Sequence, residues 1–341
     1  MVSGSATEPL VTLVIPTFER ASFLDDSIGS LLAQDYQALE IIVIDDGSTD
    51  DTPAILAGYA ERHPERFSWA RHDNMGQPGT LNRGFAMAKG EILGYLSSDD
   101  MLLPRAVTKL VEPLVADPEA VASYGGWDYV DEDGEKMVSV IPIQFTRHHA
   151  LLRSDPVVGP GALFRRSILD HVGGWTEGIR FSPDFDFWLR VASVGRFALV
   201  PERLALYRWH EQMTGRSSVG GQIAQERIDI VDRVYAEADL PDEILAIKEE
   251  AYRCAFLAGA TLIGGNALWE RFFVADRLIG MTFSEHEREL AESTAKLEFE
   301  IGARERELAS IGEEIAGLGD ALARRAEEID QARAKLAEGG R

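Results

Sequence analysis

Short apolar runs alternate with amphipathic stretches along the first third of the chain. Four runs carry β-branched or bulky apolar residues and are typical of buried strands: Val11–Pro16, Ile41–Ile44, Phe67–Arg71 and Glu91–Leu96. Stretches with apolar residues at helical spacing lie between them, near residues 22–31, 53–61 and 80–89. This alternation predicts an α/β fold, in which a parallel sheet is wound with helices on both faces.

The pattern is less regular between residues 120 and 205. Short strands are predicted at 121–124, 127–130 and 198–201, with a turn at 131–134 and helices at 167–173 and 184–194. From about Gln222 to Phe283 the pattern is helical throughout. We therefore predict an α/β domain over residues 1–221 and a helical extension over residues 222–283.

The C-terminal residues 284–341 repeat apolar side chains in heptads. Of the 14 a and d positions from Leu290 onward, 11 are apolar, and the exceptions are Thr294, Arg304 and Arg325. Such a seam predicts a coiled coil, because it cannot stay exposed on a single helix in water. Arginines at d positions favour a parallel homodimer, where their long side chains can reach solvent. A long helix that folds back on the body is the alternative.

Composition and charge narrow the classes of partner. The formal net charge of −23 argues against nucleic acid as a partner and against broad adhesion to anionic lipid. Cys254 is the single cysteine, so a disulfide within the chain is impossible and a reducing compartment is favoured. The sequence carries neither a signal-peptide pattern nor an apolar run of about 18 residues, so we expect a cytoplasmic protein without a transmembrane segment.

Acidic pairs follow two of the predicted strands. Asp45 and Asp46 end the run that begins at Ile41, and Asp99 and Asp100 follow the run that begins at Glu91. Ligands of open α/β sheets bind at the carboxyl ends of the strands, so both pairs are predicted at one binding edge. Carboxylates suit Mg²⁺ or Mn²⁺, which also keep water and phosphate ligands. The first pair could instead accept hydrogen bonds from a nucleobase or a ribose, and the second pair could simply cap the next turn.

Two later segments carry further candidate groups. Asp184 lies among aromatic residues at the start of a predicted helix, where partial desolvation suits a general base. Asp186 competes for that role, and at least one of the two is expected to cap the helix. His210 is a candidate metal ligand, and Arg208 could neutralise a phosphate.

Taken in order, these segments resemble the family 2 glycosyltransferases of the GT-A fold, over roughly residues 10–215. The resemblance rests on a series of motifs: Val14–Arg20, Ile42–Asp50, Asn74-x-Gly76, Leu81-Asn82-x-Gly84, Ala88–Glu91, Leu96–Asp100, Gly161–Arg166, Val172–Trp175, Asp184–Arg190 and Tyr207-Arg208-x-His210. It implies a Rossmann-like GT-A sheet wound with helices, ahead of the helical region and the coiled coil. It also implies an inverting transferase that uses a nucleotide-diphospho-sugar and a divalent metal, Mg²⁺ or Mn²⁺.

The same resemblance assigns the site residues. Those that would bind the nucleotide-sugar are Pro16, Thr17, Glu19, Asp46, Asn74, Asn82, Asp99 and Arg208. Asp100 and His210 would hold the metal, and Asp184 would remove the proton from the acceptor hydroxyl. The acceptor would be a glycan or a lipid-linked glycan in polysaccharide, lipopolysaccharide or protein glycan assembly. A lipid-linked acceptor would also allow peripheral association with the inner face of the cell membrane.

Two other functions fit parts of the sequence. A sugar nucleotidyltransferase also binds a nucleotide and a metal, but residues 11–20 lack the glycine-rich phosphate loop that such enzymes usually carry. A non-catalytic coiled-coil scaffold with a degenerate transferase head is favoured by Ser97 and Pro183, where the family often has acidic residues. Asp184 and His210 are retained, and they favour the enzyme.

Overall fold

The computed structural model describes residues 8–154, 158–210 and 220–263. All of these residues fall in one compact unit. A second unit, residues 270–341, lies outside the described residues, and so does the coiled coil predicted at 284–341.

The first half of the described chain is the parallel unit that the sequence predicts. Its strands are β1 (Val11–Thr17), β2 (Leu39–Asp45), β3 (Phe67–Arg71) and β4 (Ile92–Tyr95), and they pair in parallel in the order β3-β2-β1-β4. The helices between them are α1 (Leu24–Leu32), α2 (Thr52–Arg62) and α3 (Gly76–Met87).

Both faces of this parallel sheet are buried. Leu13 and Ile15 pack into one hydrophobic cluster, whereas Val14, between them in the chain, packs into the other. Side chains of α1 and α2 join the first cluster and those of α3 join the second. This explains why the strands read as unbroken apolar runs rather than as alternating patterns.

The second half is a mixed sheet. Its strands are β5 (Met101–Leu102), β6 (Ala120–Val130), β7 (Lys136–Val140), β8 (Leu163–Arg165) and β9 (Arg196–Arg208). Its helices are α4 (Ala106–Ala116), α5 (Arg147–Arg153), α6 (Leu169–Val172), which a 3₁₀ turn at Arg166–Ile168 precedes, and α7 (Pro183–Val191). The sheet continues from β4 in the order β8-β6-β9-β5, with β7 on β6, and only the β6–β9 pair of this half is parallel.

The predicted short strands of this half are parts of two long strands. The segments at 121–124 and 127–130 form the single strand β6, because Gly125 and Gly126 continue the strand instead of ending it. A Cβ on Gly125 would lie 2.6 Å from Leu204 of β9, and one on Gly126 would lie 2.4 Å from the carbonyl oxygen of Val140. These glycines therefore allow the neighbouring strands to approach closely. In the sequence the same pair of glycines resembles a turn.

The described part of the helical extension is α8 (Gly220–Tyr235), α9 (Asp242–Ala246) and α10 (Lys248–Ile263). Ile230 and Val231 of α8 and Ala251 of α10 are buried in the same cluster as Phe164 of β8. These helices therefore share the hydrophobic core of the α/β body. The domain boundary between residues 221 and 222 stays a prediction from the sequence. None of the described helices is long and apolar enough to cross a membrane.

Candidate active site

Asp45 ends β2 and holds the turn that follows. Its carboxylate is fully buried and accepts a hydrogen bond from the backbone N–H of Ser48 at 2.9 Å, and Arg71 Nε lies 3.3 Å away. Gly47 has a φ of +90°, and a Cβ there would lie 3.1 Å from the backbone nitrogen of Asn74. Asp45 is therefore committed to the fold, and glycine is required where the loop before α3 passes close to the turn.

Asp46 joins the end of β2 to the start of α3. Its carboxylate accepts hydrogen bonds from the backbone N–H groups of Met75 at 2.8 Å and Gly76 at 3.0 Å, and the residue is 4% exposed. The helix accordingly begins at Gly76 and not near Thr80. Asn74, exposed beside this junction, lies close to the turn that Asp46 begins.

The other predicted nucleotide-binding residues of β1 lie beside Asp46. The Asp46 N–H donates to the carbonyl oxygen of Thr17 at 2.8 Å, and Pro16 precedes Thr17 in the strand. Glu19 has a φ of +53°, and its carboxylate accepts two hydrogen bonds from Thr49, at 2.7 and 2.9 Å. The Thr17 hydroxyl is buried and has no hydrogen-bond partner among the described residues. The structure thus brings these four predicted residues to one edge of the sheet.

Asn82 makes contacts that the sequence did not predict. Its side-chain NH₂ donates to the carbonyl oxygen of Trp175 at 2.9 Å, and its carbonyl oxygen accepts from the Trp175 N–H at 2.8 Å. A Cβ on Gly174 would lie 2.3 Å from that same oxygen, so the glycine makes room for the amide. Asn82 therefore fastens α3 to the segment before α7, and its amide faces backbone instead of a nucleotide-sugar.

Asp99 and His210 are in contact although they are 111 positions apart in the sequence. The imidazole Nε2 of His210 lies 2.8 Å from Asp99 Oδ2, and the His210 residue is 2% exposed. The ring of Phe23 packs on the imidazole with centroids 5.0 Å apart. Arg20 Nε lies 3.8 Å from the same carboxylate. Arg20 follows Glu19 in the chain, so it links the nucleotide-binding edge to this pair.

Asp100 is held differently from its neighbour Asp99. The residue is 4% exposed, and Oδ1 accepts the backbone N–H of Arg208 at 3.0 Å. Burial, and after it the charge of Asp99, raise the pKa of Asp100 well above its ordinary value, although Arg208 opposes the shift. Asp100 is therefore a carboxyl that ties the turn after β4 to β9, and it is less suited than Asp99 to meet a ligand.

The guanidinium of Arg208 is enclosed by protein groups. It donates to the Asp26 carboxylate at 2.6 Å, to the carbonyl oxygen of Glu132 at 2.6 Å and to that of Asp99 at 3.2 Å. The side chain is 4% exposed. Arg208 therefore positions the turn that carries Asp99, and it is not placed to neutralise a phosphate directly. From the sequence, Asp26 is expected only to lie in the first turn of α1. No sequence pattern predicts its ion pair with Arg208.

The donor atoms fit a divalent cation only in part. Among the described residues no group of three or more His, Cys, Asp or Glu side chains is arranged to hold a metal ion. Asp99 and His210 together offer one carboxylate and one imidazole. Mg²⁺ and Mn²⁺ sites often use one or two protein ligands and complete their coordination with phosphate and water oxygens. The pair therefore fits a metal ion that arrives with a diphosphate.

Asp184 is the second residue of α7 and is partly buried, and its carboxylate accepts the backbone N–H of Phe185 at 2.8 Å. The charge of Asp184 affects the pKa values of two tyrosines. Burial raises the pKa of Tyr95 well above its ordinary value, and the charges of Asp184 and Asp100 raise it further. Burial is also the largest cause of the raised pKa of Tyr207, to which the same two carboxylates contribute. The charge of Asp184 is thus felt at the acidic strand end. The sequence motifs include Tyr207 without a role, and they do not include Tyr95.

Asp186 makes the structural contacts. The residue is 3% exposed and accepts hydrogen bonds from the Thr176 hydroxyl at 2.7 Å and from Arg190 at 2.7 Å, and Arg233 Nη1 lies 3.2 Å away. All three partners neutralise or satisfy the carboxylate. Asp186 is therefore committed to the structure around α7.

Residues 12–173 match the family model described as Glycosyl transferase family 2. An uncharacterized glycosyltransferase of Rickettsia typhi is 28% identical over 223 residues, which are 62% of this chain and 67% of that protein. The O-antigen biosynthesis protein RfbC of Myxococcus xanthus is 28% identical over 193 residues, which are 56% of this chain and 15% of that protein.

Two solved structures are similar in fold. A mannosyltransferase of Pyrobaculum calidifontis in complex with GDP-Man and Mn²⁺ has a TM-score of 0.56 at 19% identity, over 85% of this chain and 81% of that chain. TarS residues 1–349 of S. aureus in complex with UDP-GlcNAc has a TM-score of 0.57 at 18% identity, over 73% of this chain and 71% of that one. At such identities the likeness shows the fold alone, which is a GT-A fold.

Proposed function

The chain belongs to glycosyl transferase family 2 through residues 12–173 and is a glycosyltransferase, and on that premise we propose that it moves a sugar from a nucleotide-diphospho-sugar to an acceptor hydroxyl with inversion. One observation carries the proposal. Two polar groups of residues lie along the same edge of the sheet: Thr17, Glu19 and Asp46 form one, and the Asp99–His210 pair forms the other. Arg20 follows Glu19 in the chain and contacts Asp99, so it lies between them. The structural neighbours in complex with GDP-Man and UDP-GlcNAc support a nucleotide-sugar as donor.

The donor's base and ribose would lie against the ends of β1 and β2. The buried Thr17 hydroxyl has no hydrogen-bond partner among the described residues, and an unpaired buried hydroxyl is costly. A ribose or base group would satisfy it. Pro16 and Asn74 would line the same pocket. Asn82 and Arg208 would serve the donor indirectly, by holding α3 and the turn after β4 in place.

A divalent cation, when bound, would neutralise the charge that develops on the departing diphosphate. Asp99 and His210 are the residues that we propose would hold it. We prefer Asp99 to the Asp100 of our sequence-based prediction, because Asp100 is buried against the Arg208 backbone whereas Asp99 is partly exposed.

Asp184 would take the proton of the acceptor hydroxyl. As that oxygen forms its bond to the anomeric carbon, the bond from that carbon to the nucleoside diphosphate breaks on the opposite face. The electron pair leaves with the diphosphate and the proton stays on Asp184. A single displacement of this kind inverts the anomeric configuration, and it parallels the route of inverting hydrolases with a sugar hydroxyl in place of water.

The acceptor that we propose is a glycan or a lipid-linked glycan, in polysaccharide, lipopolysaccharide or protein glycan assembly. The relative named for O-antigen biosynthesis supports this class. With such an acceptor the enzyme would work in the cytoplasm, peripherally at the inner face of the membrane.

We also propose that residues 284–341 pair two copies of the chain in a parallel coiled coil. The support is the heptad pattern, in which 11 of 14 a and d positions are apolar. Light scattering should give the mass of two chains for the full-length protein and of one chain after truncation behind Phe283. A single-chain mass for the full-length protein at micromolar concentration would leave the fold-back helix as the better interpretation.

The decisive experiment measures release of nucleoside diphosphate from a panel of UDP-, GDP- and dTDP-sugars. For the donor that is turned over, Asp184→Asn should keep the donor affinity and lose roughly two to four orders of magnitude in turnover. Asp186→Asn is the matched control, since it lies two residues along α7. It should mainly lower the melting temperature. Release from no donor at all would favour the non-catalytic scaffold, and the reverse ranking of the two variants would move the base to Asp186.

A further inference from the structure

The segment before α7 is held by a carboxylate from α8. Glu226 accepts hydrogen bonds from three consecutive backbone N–H groups, those of Arg180 at 2.7 Å, Phe181 at 2.8 Å and Ser182 at 2.6 Å. These three N–H groups precede α7, so no hydrogen bond within the helix satisfies them and they need an acceptor from elsewhere. A carboxylate that accepts several of them makes strong, charge-assisted hydrogen bonds.

Helix α7 also lacks a side-chain cap of its own. Ser182 occupies the N-cap position, but its side chain makes no capping hydrogen bond. Its hydroxyl instead accepts from Arg227 Nε at 3.1 Å, and the Arg227 guanidinium lies 5.2 Å from the centre of the Phe185 ring. One turn and a half further along α8, Arg233 pairs with Asp186 at 3.2 Å. Contacts from α8 therefore flank Asp184 on both sides in the chain.

Helix α8 is itself firmly anchored. Ile230, Val231 and Val234 are each less than 5% exposed and lie in the main hydrophobic cluster. Just beyond its C-terminal end Glu237 accepts from Arg147 of α5 at 2.8 Å, and a second hydrogen bond joins the same two side chains. A buried and paired helix of this kind is a fixed support for the groups that it holds.

We propose that Glu226 is a positioning residue, which sets the place of the Asp184 carboxylate by holding residues 180–182; this rests on the proposed role of Asp184 as the base. Asp184 is separated from the held segment only by Pro183, whose ring restricts the backbone between them. Glu226 lies beyond the matched residues 12–173, so the helical extension completes the catalytic helix. Misplacement of a reacting group by about 1 Å can cost about a hundredfold in rate.

The test uses full-length protein with Glu226→Gln. This variant keeps the size of the side chain but has one acceptor oxygen instead of two, so it cannot satisfy all three N–H groups. Hydrogen exchange at the amides of residues 180–182 should become about tenfold faster, with β1 to β4 unchanged. Turnover should fall about 10- to 100-fold while the donor KM stays within about twofold. Asp229→Asn, on the exposed side of α8, is the matched control and should change neither quantity.

A double-mutant cycle separates positioning from general destabilisation. If Glu226 acts through Asp184, then adding Glu226→Gln to Asp184→Asn should slow turnover no further than Asp184→Asn alone. Losses that multiply would overturn the proposal, and so would wild-type exchange and turnover in Glu226→Gln. If Glu226→Gln fails to fold, Arg227→Gln tests the same support and should show a smaller loss of turnover, about threefold, again with an unchanged donor KM.

Failure of the proposed function gives a different result. If Asp184→Asn retains wild-type turnover, then Asp184 is not the base and Glu226 cannot position one, even though the exchange rates would still report the contact. If Asp184→Asn loses turnover but Glu226→Gln does not, only the positioning role is overturned.

Discussion

The two halves of the sheet form their parts of the candidate active site through contacts of different sequence separation. In the parallel half the contacts are near in sequence: Asp45 holds Ser48, three residues away, and Glu19 and Asp46 hold groups about 30 residues away. In the mixed half the partners are distant: Asp99 and His210 are 111 positions apart in the sequence, and Arg208 and Asp26 are 182 positions apart.

The difference follows from the topology. In the parallel half β1 and β2 are each followed by a helix and then by a strand that pairs beside them, and β4 pairs on the other side of β1. The strands are parallel, so the loops that follow them meet at one edge of the sheet. In the mixed half, β9 returns beside β5 and β6 from far along the chain and delivers Arg208 and His210 to the turn after β4. The proposed donor pocket is therefore a local structure, whereas the proposed metal and phosphate end forms only when the whole body folds.

The largest loss of turnover is expected when the long-range pair of Asp99 and His210 is broken. Asp99→Ala should lower turnover about a hundredfold, because it removes the carboxylate that His210 meets and that would hold the cation. The measurement is nucleoside diphosphate release over a range of Mn²⁺ concentrations, in which the variant should require more metal. Asp133→Ala, an exposed carboxylate in the turn between β6 and β7, should behave like the wild type. Full wild-type activity in EDTA would contradict the metal assignment.

Arg208→Met should be the most destabilising change to the long-range network. It leaves the carbonyl oxygens of Glu132 and Asp99 without their buried donor, at a cost of about 2–3 kcal/mol in the free energy of unfolding. Arg203→Met is the control, because Arg203 also pairs with an aspartate but its side chain is 47% exposed. Denaturant unfolding should show a loss of less than about 1 kcal/mol for Arg203→Met, because the Asp128 carboxylate keeps Ser139 and Lys136 as partners. Equal losses would mean that burial does not decide the difference.

Asp46→Asn tests the local half. The amide keeps one acceptor for Met75 and Gly76 and loses the other, so the free energy of unfolding should fall by about 1–2 kcal/mol. The donor KM should rise and kcat should change little, since the residue lies at the base and ribose end of the proposed pocket. Asp51→Asn, in the exposed position before α2, should leave both unchanged. A loss confined to kcat would place Asp46 nearer the chemistry than we propose.

The smallest effect is a pH dependence at Asp100. Its pKa is raised in the folded state, so its contribution to stability is present below the ordinary carboxyl pKa of about 4 and is lost as the pH rises toward the folded value. Asp100→Asn carries no charge to lose and can still accept the Arg208 N–H. In EDTA the melting temperature of the variant should therefore increase relative to that of the wild type as the pH rises above about 4. A gap that does not change with pH would contradict the raised pKa.

The sequence by itself determined the parallel half. Runs such as Ile41–Ile44 are apolar on both faces, and the acidic pairs follow them directly, so strand, turn and binding edge are all encoded within a few residues. The family resemblance and the glycosyltransferase class followed from the order of those short motifs, and the comparisons confirm both. The choice of Asp184 over Asp186 as the base stays a prediction, which the turnover of the two asparagine variants tests.

Only the tertiary structure decided what the individual polar side chains do. Asn82 and Arg208 carry groups that often bind ligands. In the structure Asn82 instead bonds the Trp175 backbone, and Arg208 bonds the Asp26 carboxylate and two carbonyl oxygens. No local sequence pattern connects either residue to these partners. The support that Glu226 gives to residues 180–182 is equally invisible in the sequence. Hydrophobic periodicity reports which face of an element is buried, because burial repeats along the chain. A hydrogen bond between distant residues leaves no period, so it appears only when the chain has folded.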